Sequence, residues 1–98
     1  MRKYELMIVF STEEDKYKTA SEAVKAILAQ FSATIEKEDS YGDRDLTYVI
    51  NKQKRGRFVL FTINANPAKI VDIQGQFKLT KDILKYLFVK LDDEKRTN

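Results

Sequence analysis

The segment from Gly42 to Ile63 constrains this chain more than any other. Gly42-Asp43-Arg44-Asp45-Leu46-Thr47-Tyr48-Val49-Ile50-Asn51 reads as an extended arm, with Leu46, Tyr48 and Ile50 on one face and Asp45, Thr47 and Val49 on the other. Phe58-Val59-Leu60-Phe61-Thr62-Ile63 is aromatic and β-branched, which suits a returning arm. Between them Lys52-Gln53-Lys54-Arg55-Gly56-Arg57 reads as a turn carrying four positive charges. The expectation is a long hairpin that pins the fold and delivers cations to a polyanion.

The rest of the chain builds around that hairpin. Tyr4 to Phe10 is apolar on both faces, as a central strand is. Ser11 to Asp15 is polar and acidic, which suits a helix N-terminus; Thr19-Ala20-Ser21-Glu22 is a second start signal, a capping box. Ala20, Val24, Ile27, Leu28 and Phe31 then recur at helical spacing, and the helix should stop near Phe31 or Ser32. Thr34 to Tyr41 is extended but charged, so it suits an edge strand, with Gly42 at a bulge or bend. Asn66-Pro67 opens a second helix whose buried stripe is Ile70, Ile73 and Phe77. Ile83 to Leu91 is the last strand, and residues 92–98 are a charged tail expected to fray.

The order is β-α-β-β-α-β. This predicts an α+β, ferredoxin-like split βαβ fold: a four-stranded antiparallel sheet with two helices on one face. Strands one and three should be central, because they are apolar on both faces. At 98 residues the chain is expected to be one domain, residues 1–91, plus the tail.

Composition narrows the chemistry. Without Cys or His there is no thiolate nucleophile, no Cys-based zinc site and no imidazole base, so no cofactor or metal is expected. No apolar run approaches the roughly 20 residues of a membrane helix. The N-terminus also lacks the apolar core of a signal peptide, so a cytoplasmic protein is expected. Net charge is +3, which suits an acidic partner. An enzyme finds little support. A phosphate cradle after strand one needs glycines, and here the loop is Ser11-Thr12-Glu13-Glu14-Asp15, which would repel phosphate. Asp43 and Asp45 share a strand face and are conceivable as a cation site, but a solvated edge explains them more simply.

Candidate contacts fall into three groups. Lys52, Lys54, Arg55 and Arg57 would hold phosphates from the turn, or simply solvate a hairpin tip. Arg2 and Lys3 on strand one, with Lys85 and Lys90 on its expected neighbour, would form a basic strip along a sheet edge, or be scattered solubilising charge. Tyr4, Tyr48, Phe58, Phe61, Tyr86 and Phe88 would offer stacking surface, although aromatic residues on central strands usually serve the core. Arg55-Gly56-Arg57-Phe58-Val59-Leu60-Phe61 partly matches the third-strand signature of an RRM, but Arg57 stands where the first stacking ring belongs. A single-stranded RNA-binding module of RRM type is therefore the alternative reading. A homodimeric regulatory domain of the same topology is a further one.

Gly42, Arg44, Asp45, Leu46, Thr47, Tyr48, Ile50 and Asn51 together resemble the second-strand motif of the bacterial small-ribosomal-subunit protein S-six family. The opening Met1-Arg2-Lys3-Tyr4-Glu5, the stretches Ile50-Asn51-Lys52 and Phe58-Val59-Leu60, and Phe77 through Leu91 are similar too. Thr47 departs from the small residue usual in the family. The resemblance spans almost all of residues 1 to 91. It implies a structural role in the small subunit: binding the central domain of 16S ribosomal RNA as a heterodimer with small-subunit protein eighteen, during assembly. It also implies that Arg2, Tyr4, Arg44 and Tyr48 are RNA or partner contacts.

Overall fold

The computed structural model describes residues 1–50 and 52–91. Its elements are β1 (Arg2–Phe10), α1 (Glu14–Gln30), β2 (Thr34–Ile50), β3 (Gln53–Ala65), a 3-10 turn (Pro67–Lys69), α2 (Ile70–Leu79) and β4 (Ile83–Lys90). The sheet order is β2-β3-β1-β4, antiparallel throughout, so the expected split βαβ topology is present with β1 and β3 central.

The core lies between the sheet and the two helices. Tyr4, Leu6, Ile8 and Phe10 of β1 and Val59, Phe61, Ile63 and Ala65 of β3 are buried with Val24 and Leu28 of α1 and Ile73 and Phe77 of α2. Each large apolar side chain buried in this way contributes about 1.5–3 kcal/mol relative to exposure. Phe77 stacks on Phe88 of β4 at 6.0 Å and meets Tyr86 edge-on at 5.5 Å, so the half-buried edge strand is held by aromatic contacts.

The helix ends show what local patterns conveyed. Glu14 and Asp15 lie in the first turn of α1, where the helix dipole favours them. Thr19 to Glu22 sits inside that helix, so the capping box is no boundary: the polar positions belong to a helix already begun at Glu14. The stop is a Schellman motif with Ser32 in place of glycine. Ser32 has φ 62°, its N–H donates to Ala29 O, and Ala33 N–H donates to Leu28 O. Asn66 caps the second helical segment through Ala68 N–H at 3.0 Å, and Pro67 opens it as a 3-10 turn before α2.

The hairpin departs from expectation in two ways. First, the predicted turn of residues 52–57 is mostly strand. β3 starts at Gln53, and Arg55, Gly56 and Arg57 pair with Asp45, Arg44 and Asp43. The cross-strand charges favour a paired ladder over a solvated loop. Lys52, at φ 65°, remains in the tight turn between Ile50 and Gln53. Secondly, pairing breaks between Asp45 and Ile50, and residues 46–49 form an irregular bulge. Strict alternation fails there: Tyr48 and Val49 are consecutive yet 64% and 55% exposed. The Gly42 bulge does occur, with φ 82° and a register shift between Ser40 and Gly42.

The expected tail, residues 92–98, lies outside the described residues.

Candidate nucleic-acid interface

The far half of the hairpin presents a group of exposed cations close together in the chain. Arg44, Lys52 and Lys54 are exposed, and among the described residues none has a carboxylate partner. Arg44 Nε donates to Tyr41 O at 3.2 Å, which orients the guanidinium without neutralising it. Beside them Tyr48 offers an exposed ring. Arg55 is only partly available, because it pairs with Asp45 at 3.3 Å and donates to Asp43 O at 3.2 Å.

Arg57 does not belong with these cations. Its Nε lies 2.8 Å from Asp43 Oδ1, its Nη1 lies 3.1 Å from Glu14 Oε1, and its guanidinium stacks 4.6 Å from the Tyr17 ring centroid. With its side chain only 19% exposed, Arg57 ties β2, β3 and α1 together. Hydrogen bonds to Asp43 and then Glu14 raise its pKa further; the same bond from Arg57 holds the Asp43 carboxyl below the usual range. Asp43 and Asp45 thus face arginines, which removes the cation site considered above. Among the described residues no acidic cluster suited to a metal occurs.

The expected basic strip on β1 and β4 is not continuous. Lys90 stands opposite Tyr4, near Arg2, whereas Lys85 stands opposite Val9 at the other end of the strand. Lys3 pairs with Glu36 at 3.2 Å, and Glu36 also accepts from Asn64. Those two bonds, Asn64 first, lower the Glu36 pKa.

Tyr4 is 7% exposed and packs edge-on against Phe88, so its ring serves the core. Phe61 is buried as well, and Tyr86 and Phe88 pack on Phe77. A stacking platform of RRM type therefore loses Tyr4, Phe61, Tyr86 and Phe88, which lie on the helix side of the sheet, and keeps only Phe58 and Tyr48 of the six rings.

Two hollows mark the uncovered sheet face. One, of about 190 Å³, has Val9, Leu46, Ile50 and Phe58 around it, with Tyr48 and Lys85 also lining it. It brings together two candidates that lie 37 residues apart in the chain and were assigned to different groups. The hairpin reaches this face because Gly56 permits it: a Cβ there would collide with Val9 Cγ1 and crowd Leu46 Cδ2 at 3.3 Å. The other hollow, of about 410 Å³, is lined by Glu5, Met7, Tyr41, Leu60, Leu87 and Val89. Leu87 is 57% exposed and Val89 45%. None of these six residues was a sequence candidate, although an uncovered sheet face or an edge was the expected docking surface for a protein partner; the signal for the residues was the apolar second face of the central strands together with Leu87 and Val89.

The split βαβ sheet thus carries a cationic arm and an uncovered apolar face. Residues 3–90 match the family described as Ribosomal protein S6. Small ribosomal subunit protein bS6 of Treponema denticola is 52% identical over 93 residues, covering 95% of this chain and all of that one. The same protein of Treponema pallidum strain Nichols is 45% identical over 92 residues, covering 94% and 99%. Among solved structures, 30S ribosomal protein S6 from Thermotoga maritima aligns with a TM-score of 0.82 at 21% identity, over 94% of this chain and 89% of that one. The C-terminal domain of MgtC from Mycobacterium tuberculosis reaches 0.63 at 7% identity, covering 99% and 95%. Those two likenesses concern the fold alone.

The chain belongs to the ribosomal protein S6 family. It is accordingly a small-subunit ribosomal protein of the cytoplasm, not an enzyme.

Proposed function

We propose that this chain binds the central domain of 16S ribosomal RNA together with small-subunit protein eighteen, and thereby supports subunit assembly and translation. The observation that carries this reading is the far half of the hairpin, where Arg44, Lys52 and Lys54 stand exposed without carboxylate partners among the described residues. Arginine and lysine hold phosphates and position a protein without reading sequence. Junction shape and 2′-hydroxyl contacts then supply selectivity. Tyr48 and Lys85 extend the RNA surface across the 190 Å³ hollow, Arg55 is a secondary contact, and Arg2 and Lys90 form a small outlying pair. The uncovered face, with Leu87 and Val89 exposed, docks the protein partner. Residues 1–91 form the binding domain.

The test is titration of a central-domain 16S RNA fragment at several salt concentrations, with and without protein eighteen. Tight, salt-dependent binding selective for that fragment is expected. Equal weak binding to unrelated RNA, with the partner present, would remove the proposal.

A further inference from the structure

The uncovered sheet face carries a carboxylate that the described fold does not use. Glu5 lies near the middle of β1, opposite Thr62 of β3 and Val89 of β4. It lines the 410 Å³ hollow with Met7, Tyr41, Leu60, Leu87 and Val89, and is half-buried among them. Among the described residues it has no ion-pair or side-chain hydrogen-bond partner. Lys3, two residues before it, pairs instead with Glu36. Half-buried among apolar side chains, this carboxylate keeps part of its hydration and has no protein cation beside it among the described residues.

This arrangement selects among occupants. RNA is disfavoured, because a phosphate would meet a carboxylate and an apolar surface. A second copy packed face to face would desolvate two unpaired carboxylates. A protein segment that is apolar but carries one cation satisfies both parts of the hollow. We propose that this face takes a basic protein partner which sets one Arg or Lys side chain against Glu5 while its apolar residues cover Met7, Leu60, Leu87 and Val89. Docking removes water from the pair, which strengthens it and sets the register of the partner on the sheet. The inference rests on the reading that this face, and not a sheet edge, docks the partner.

The experiment measures binding of purified protein eighteen to the full chain by calorimetry, for the wild type, Glu5→Gln and Leu87→Asp, with a thermal melt of each free chain. Glu5→Gln should bind roughly tenfold or more weakly, and the free variant should melt at or above the wild-type temperature. Leu87→Asp should bind at least as weakly as Glu5→Gln. If Glu5→Gln binds like the wild type while Leu87→Asp does not, the Glu5 pairing is overturned and the docking face stands. If both bind like the wild type, the docking face fails and the inference with it. A Glu5→Gln chain that melts several degrees lower would make the carboxylate structural, which also overturns the pairing.

Discussion

Arg57 and Arg44 differ in what surrounds them, not in chemistry. Arg57 is held by Asp43 and Glu14 and covers Tyr17. Arg44 faces solvent with only a backbone oxygen for a partner. Replacing Arg57 with Ala should therefore destabilise the fold by about 1–3 kcal/mol, because it strips a charged hydrogen bond from a half-buried carboxylate. Replacing Arg44 should leave stability nearly unchanged, and urea unfolding of the two variants checks the contrast. The Asp43 pair also has a pH signature. The folded pKa of Asp43 lies below its unfolded value of about 3.9. The stabilisation is therefore complete above that value and disappears as pH falls through the folded pKa. The stability gap between wild type and Asp43→Asn should be largest near neutral pH and close below it, across the acid range. A gap independent of pH would contradict the pairing.

At the scale of elements, the hairpin arm depends on a close approach and an irregular bulge. A side chain at Gly56 must displace Val9 or Leu46, so Gly56→Ala should cost about 1–3 kcal/mol by overpacking. The same substitution should loosen the arm over the 190 Å³ hollow, visible as faster amide exchange in the paired stretch from Asp43 to Asp45 and across it at Arg55 and Arg57. Phe61 and Tyr48 are both aromatic residues on the hairpin, yet they belong to different functions. Phe61→Ala empties a core position and should cost about 3–5 kcal/mol. Tyr48→Ala should fold normally and lose RNA affinity. The reverse pattern, with Phe61 dispensable for folding and essential for RNA, would revive the RRM-like alternative.

At the scale of the whole molecule, the topology was legible because it is written in period and polarity. β1 and β3 are apolar on both faces, β2 is charged, and Asn66-Pro67 announces a helix start. The site was less legible for a physical reason. Whether a cation is free depends on what stands across the ladder, and neither Arg57 opposite Asp43 nor Lys3 beside Glu36 is a local pattern. Tyr4 has the alternation of a strand residue but not the side it faces, and Tyr48 with Lys85 meet only because the arm bends over Gly56. The end of the apolar stripe puts the stop of α1 near Phe31 or Ser32; the helix runs to Gln30, Phe31 is its C-cap and Ser32 takes the left-handed position after it.

The account rests on the far hairpin cations as the phosphate-holding group, and their salt linkage measures this directly. Affinity for the central-domain fragment, with protein eighteen present, is followed from low to moderate salt for the wild type and for a chain with Arg44, Lys52 and Lys54 each changed to Gln. Loss of three phosphate contacts should flatten the slope of log affinity against log salt by about 2–3, with the thermal midpoint unchanged. An unaltered slope in a folded variant would place the phosphates elsewhere and contradict the assignment.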